Sequence, residues 1–157
     1  MTTRVQTPRG VYEIDTDPAR IDRAAVHAFL VRAYWAAGIP RDLCDLAIEN
    51  SLPFGVYAPE GGQVGFARLI TDRATFAYLA DVYVLEAHRG LGLGRALARA
   101  ATAHEVAVRA RRVMLATRDA HGLYVREGFV PLEEPEMFLQ IVRPDIYRSR
   151  MQGAQPR

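Results

Sequence analysis

His88-Arg89-Gly90-Leu91-Gly92-Leu93-Gly94-Arg95-Ala96-Leu97 is the stretch that decides the fold. A strand-like run, Tyr78 to Leu85, leads into it, and a helix-like run from Gly92 to about Ala110 leads out. Glycines at alternate positions leave backbone N–H groups uncovered. The first N–H groups of a helix have no internal partner and lie at the positive end of its dipole. A strand, a bare loop and a helix start therefore make an anion site, most often for phosphate. Arg89 and Arg95 add charge-assisted donors. Glycine near a helix start costs roughly 0.5–1 kcal/mol per residue against alanine, so three of them point to a ligand or a tight backbone.

The spacing excludes two common phosphate readers. A dinucleotide fingerprint needs G-x-G-x-x-G. Counting from Gly90 or from Gly92, its last glycine falls on Arg95 or on Leu97. A Walker loop needs G-K-[ST], and all twenty basic residues of this chain are arginine. The remaining pattern is R-G-x-G-x-G-x-x-L after Asp81-Val82-Tyr83-Val84-Leu85.

Working outward, periodicity places the other elements. Val11–Asp15 alternates as a first strand, and residues 21–35 have helical spacing. Residues 41–50 form a second helix with Leu43, Leu46 and Ala47 inward. Strands are expected over 52–58, 63–71 and 75–85, the first two joined by the turn Pro59-Glu60-Gly61-Gly62. The glycine loop then opens a third helix with Leu93, Leu97, Ala101, His104 and Val108 on one face. A fifth strand (112–117) and a short fourth helix (119–126), N-capped by Asp119, come next. Strands at Phe129–Leu132 and Met137–Val142 end the series. The expected class is α/β: a mixed, mostly antiparallel sheet of about seven strands with about four helices. Residues 1–148 read as one domain and 149–157 as a flexible tail.

The 157 residues suffice for one core, and 50% hydrophobic with 24% charged is a globular balance. No apolar run reaches the ~18 residues of a membrane helix, and Met1–Gly10 lacks a signal-peptide core. The single cysteine, Cys44, forbids an internal disulfide and reads as a buried thiol in a reducing cytoplasm. A net charge of +2 gives little support to nucleic-acid binding. The cluster Arg109, Arg111 and Arg112 sits where a helix dipole favours cations.

Two motifs in order resemble the GNAT superfamily of acyl-CoA-dependent N-acetyltransferases. The first is the glycine loop. The second is Asp119-Ala120-His121-Gly122-Leu123-Tyr124-Val125-Arg126-Glu127-Gly128-Phe129, which matches the family's short helix with its tyrosine and following Gly-Phe. The resemblance covers roughly residues 50–142 and the order of the elements before them. It implies a fourth strand interrupted by a bulge and splayed from the fifth, with acetyl-CoA as co-substrate in the opening. Val82, Tyr83 and Val84 would pair with its pantetheine amides by backbone bonds. Arg89, Gly90, Leu91, Gly92, Leu93, Gly94 and Arg95 would hold its pyrophosphate. Many members place Asn after the fifth strand; this chain has Thr117-Arg118-Asp119, so Thr117 or Arg118 takes that contact.

The implied activity is acetyl transfer to a primary amine of a small molecule or peptide, by direct attack in a ternary complex. The amine must first lose its proton, since an ammonium with pKa near ~10 is not a nucleophile. Tyr124 is the expected general acid for the leaving thiolate, because a phenol stays protonated at neutral pH. Asp81, beside the bulge, is the expected base or ammonium anchor, with bracing of the bulge the structural alternative. His121, three residues before Tyr124, is the other candidate base. The N–H of Val82 is a candidate oxyanion donor. Tyr34 and Trp35 would wall the acceptor site, joined by Arg68 and Tyr78. The alternative activity is acyl-CoA binding without catalysis. No metal, nucleic acid or membrane is expected, and a homodimer is an open expectation.

Overall fold

Turn chemistry and alternation build the sheet strand by strand. In the computed structural model, which describes residues 1–148, a hairpin of β1 (Thr2–Thr7) and β2 (Gly10–Asp15) leads to β3 (Leu52–Tyr57), β4 (Gln63–Thr71), β5 (Phe76–Val84) and β6 (Arg112–Met114). The six strands lie in chain order, antiparallel except for β5 and β6. The expected Pro59–Gly62 turn joins β3 to β4, with the Ala58 N–H donating to the Gly62 carbonyl at 3.1 Å. Asp72 tightens the β4–β5 turn by accepting from the N–H groups of Ala74, Thr75 and Phe76.

Helices cover both faces. On one, α1 (Arg23–Leu30) and α2 (Arg41–Glu49) bury Val26, Leu30, Cys44 and Ile48 with Phe66 and Tyr83. On the other, α3 (Leu93–Ala103) and α4 (Glu105–Arg109) bury Leu97, Ala101 and Val106 against Phe54, Val56, Leu69 and Leu79. Each fully buried leucine or phenylalanine contributes roughly 1.5–3 kcal/mol against exposure. Asp22 caps α1 by accepting from the Ala25 N–H at 2.9 Å. The last helix, α5 (His121–Val125), sets Tyr124 against the second of these cores.

Among the described residues the sheet holds six strands, flanked by the helices α1 to α5, so the expected α/β architecture stands with local differences. β1 precedes the expected first strand; its alternating Thr and Val residues pair with β2 although its outer face is polar. α1 stops at Leu30, eight residues long, and residues 31–37 form turns closed by the Gly38 N–H on the Val31 carbonyl. The helix expected over 92–110 breaks at His104. That residue turns extended (ψ 142°), and its Nδ1 accepts from the Val106 N–H to cap α4. Val108 and Leu46, expected inward, are exposed, while Cys44 and Ile48 carry the inner face of α2. β6 ends at Met114 rather than 117, because its pairing with β5 ends there. Asp119 is not a cap: Ala120 holds that position, and the Thr117 hydroxyl accepts its N–H at 3.0 Å. Phe129–Leu132 and Met137–Val142 form no strand: the sheet ends at β6, and Pro135–Met137 winds into a 3-10 turn closed by the Phe138 N–H on the Pro135 carbonyl. The expected tail at 149–157 lies outside the described residues.

Candidate active site

β5 changes phase in its middle. Ala77 and Leu79 pack with the α3 core, and so do Val82 and Val84, three residues further on rather than two. The register with β4 shows the cause: Arg68 pairs with Ala80 and Phe66 with Tyr83, so two residues, Asp81 and Val82, stand opposite Ala67 alone. This is a β-bulge, which re-aims side chains and frees local backbone. Asp81 carries it at φ +55°, in the left-handed region that Asp tolerates better than most residues. Beside the bulge β5 also loses its other neighbour. The β5–β6 pairing covers only Phe76–Tyr78 against Arg112–Met114, and beyond it the parallel strands part.

The parting leaves a cleft of about 760 Å³. Tyr34, Trp35, Arg68, Tyr78, Asp81, Val82, Thr117 and Tyr124, all singled out from the sequence, line it together. Arg118 and Asp119 complete one rim. His121 does not join them. It lines an adjoining cavity of about 460 Å³ that shares Thr117 and Tyr124 with the cleft.

The floor of the cleft is a side-chain network. Asp81 Oδ2 accepts from Arg68 Nε at 2.6 Å, and Oδ1 accepts from Trp35 Nε1 at 3.0 Å. Arg68 continues to the Ser51 hydroxyl at 2.9 Å, and Ser51 donates to the Ala47 carbonyl. The Arg68 and Asp81 side chains are 15% and 10% exposed, so this is a largely desolvated, charge-assisted pair. Both carboxylate oxygens are thus occupied from within the protein. That geometry suits holding Trp35 and Arg68 in place better than collecting a proton. Ser51 was missed in the sequence; it has no motif, and only the fold brings it to Arg68.

An aromatic wall rises from that floor. Tyr83 stacks on Phe29 with centroids 3.8 Å apart, Trp35 lies 6.3 Å from Phe29, and Tyr34 meets Trp35 edge-on at 5.0 Å. The Arg118 guanidinium lies 4.1 Å above the Tyr34 ring. Opposite stands Tyr124, only 9% exposed and packed edge-on against Phe129 at 5.9 Å. Burial pushes its phenol above the ordinary value, so it holds its proton through the neutral range.

The glycine loop lies past the far end of β5. Gly90 and Gly92 sit at φ +78° and +77°, and a Cβ on either would meet nothing within 4 Å. Gly92 is the N-cap of α3 and offers no capping side chain. The loop is therefore open space bounded by backbone and a helix start, the shape and polarity a pyrophosphate needs. Leu93 is buried in the core, so only its backbone can serve a ligand. Arg89 donates from Nε to the Val84 carbonyl at 3.0 Å, tying the loop to β5. Arg95 and Arg99 both bind Glu127, at 2.6 and 3.0 Å. Glu127 escaped the sequence reading, as did the contacts that brace the loop from the first hairpin. Tyr12 Oη lies 2.8 Å from His88 Nδ1, and Arg9 donates to the Ala87 carbonyl at 2.6 Å. Among the described residues no acidic, His or Cys cluster could hold a metal, and no helix is long and apolar enough to cross a membrane.

Comparison with known proteins agrees with this geometry. Residues 50–131 match the model of the acetyltransferase (GNAT) domain. A Gibberella zeae protein named as an acetyltransferase is 36% identical over 136 residues, covering 74% of this chain and 77% of its own. A crystal structure from Xanthomonas campestris pv. campestris, described as a GNAT-family acetyltransferase, superposes with TM-score 0.83. It shares 44% identity and covers 87% of this chain and 96% of that one. A Mycobacterium tuberculosis protein solved in complex with CoA shares the fold at TM-score 0.61 and 21% identity, over 76% and 72% of the chains.

Proposed function

This chain belongs to the GNAT family of acetyltransferases, and we propose that it moves an acetyl group from acetyl-CoA to a primary amine of a small molecule or peptide. The observation that carries the reading is the coincidence, on one strand, of the Asp81–Val82 bulge and the end of β6 pairing. Together they expose backbone in the middle of a sheet, between a phosphate-shaped loop and Tyr124. A CoA-bound relative of the same fold supports it.

Acetyl-CoA supplies the activated acyl group as a thioester. The protein does the rest. Val82, Tyr83 and Val84 offer main chain to the pantetheine arm along the open edge of β5, as in strand addition, with the Val84 carbonyl already held by Arg89. Residues 89–94 and the start of α3 receive the pyrophosphate, with the Arg95–Glu127 pair beside them. The N–H of Val82, out of register with β4, polarises the acetyl carbonyl. The amine nitrogen attacks that carbonyl carbon, the C–S bond breaks as Tyr124 donates its proton to the departing sulfur, and the proton shed by the nitrogen passes through solvent and restores the phenol. The amine arrives as its free base along the wall of Tyr34, Trp35 and Tyr78, while Asp81 holds Arg68 and Trp35 in position. Thr117 lines the cleft but its hydroxyl closes the turn before α5, so Arg118 is the side chain after β6 assigned to the co-substrate.

A screen of primary amines with acetyl-CoA, read as thiol release, tests the proposal. At least one amine should raise release well above the rate with acetyl-CoA alone. Release that no amine raises, from a protein that binds acetyl-CoA, would favour a binding domain over an enzyme.

A further inference from the structure

The cleft continues past Tyr124. The adjoining cavity of about 460 Å³ shares Leu115, Ala116, Thr117 and Tyr124 with it. That volume lies within the roughly 300–1,000 Å³ of small-molecule sites. Apart from His121, the other described residues that line it are apolar, among them Val113, Met114, Val125, Phe129, Val130 and Leu132. Val125, Val130 and Leu132 are 55%, 76% and 42% exposed. Apolar side chains left open to water and grouped in one concavity mark a ligand groove.

Where the cavity opens decides what fills it. Its shared border is Tyr124, which the proposed function sets at the departing sulfur, and the run 115–117. The acceptor's wall of Tyr34, Trp35 and Tyr78 lines the cleft and not this cavity. A polar or charged acceptor would also leave its hydration behind there for few partners. The acyl chain is bonded to the same carbonyl carbon as the sulfur, so it is the group that starts at this border. An acetyl group has a single methyl and leaves the cavity to water. A longer saturated chain would take apolar surface out of water on both sides of the contact.

We propose that the cavity beside Tyr124 is an acyl-chain pocket, and that the preferred donor is an acyl-CoA whose saturated chain is longer than acetyl. The proposal rests on the acyl-transfer reading above and narrows its donor. The chemistry keeps its balance. The amine nitrogen bonds to the acyl carbonyl carbon, the C–S bond breaks, and CoA leaves as its thiol with the Tyr124 proton. The proton shed by the nitrogen returns to the phenol through solvent.

Hexanoyl-CoA and acetyl-CoA, compared by calorimetry and in transfer to one amine, test it. Burying a methylene tightens binding about fourfold, so wild-type protein should bind hexanoyl-CoA about tenfold more tightly or better, and transfer it with the higher kcat/KM. Val130→Trp fills the cavity with bulk, and Leu132→Asp sets a charge in its lining. Both positions are exposed, so melting temperatures should hardly move, while the hexanoyl-to-acetyl affinity ratio should fall about tenfold. A wild type that binds both donors equally or transfers acetyl with the higher kcat/KM, or a ratio that neither variant lowers, would overturn the pocket. Calorimetry needs no turnover, so a protein that transfers no acyl group to any amine would refute the catalytic reading and still leave the affinity ratio to decide the pocket.

Discussion

The two ends of the β5 channel are built from opposite materials. At the glycine loop the surface is backbone: Gly90 and Gly92 at positive φ, open space where side chains would stand, and a helix start. At the bulge it is side chain: Asp81 bonded to Arg68 and Trp35, Arg68 to Ser51, and four aromatic rings in contact. Backbone recognises groups that every acyl-CoA shares and demands little of sequence beyond the absence of Cβ. Side chains discriminate, and the acceptor is the partner that varies. On the proposed function the loop end is the co-substrate's and the bulge end the acceptor's, with Tyr124 between them.

The largest effect on stability should come from the bulge end. Arg68→Met strips Asp81 of its ion partner in a desolvated site and should cost about 3–5 kcal/mol in chemical denaturation. Acetyl-CoA affinity of the folded fraction should stay within a few-fold. Equal loss of affinity would mean that the two ends are not separable.

Tyr124→Phe removes one hydroxyl and should slow turnover roughly ten- to a thousandfold with acetyl-CoA binding kept. The pH profile sharpens this. A general acid works while protonated, so the rate should fall as pH rises through the Tyr124 pKa. Burial raises that value, so the alkaline limb belongs above the ordinary phenol value of ~10. The limb should vanish in the Phe variant. An unchanged rate, under conditions where chemistry limits turnover, would remove Tyr124 from the mechanism.

Gly92→Glu breaks the loop end alone. Acetyl-CoA at a hundred times its Kd should stabilise the wild type by roughly 2.7 kcal/mol. The variant should lose that thermal shift through charge repulsion, bulk and an unfavourable φ. A retained shift would move the pyrophosphate site elsewhere.

Trp35→Phe is the mildest change. It keeps the aromatic wall and deletes one hydrogen bond to a carboxylate, worth about 1.5 kcal/mol. Its mark should be on the KM of the acceptor, with the KM of acetyl-CoA little changed; the reverse pattern would contradict the division of the channel.

The loop end was legible in the sequence because its requirements are local. Glycine spacing, a preceding strand and a following helix are all visible within about 30 residues, the span of one such unit. The bulge, expected from the family resemblance, is also written in the three-residue step between the apolar pairs Ala77/Leu79 and Val82/Val84. Its side-chain network is not: Asp81 meets Trp35 across 46 positions, and Arg68 meets Ser51 across 17. Helix ends were misjudged where a competing local bond decided them. His104 turned a continuous periodicity into two helices. Thr117, not the expected Asp119, caps the turn before α5. The C-terminal strands were read from the run of apolar residues and the order of the elements, which do not report whether a neighbouring strand is within pairing distance.

Backbone amide resonances followed during an acetyl-CoA titration test the central claim most directly. The shifts should concentrate on Val82, Tyr83 and Val84 and on residues 89–94, the open edge of β5 and the loop beyond it. Peaks that stay in place to millimolar acetyl-CoA, or that move only outside these two segments, would contradict the assignment of this channel to the co-substrate.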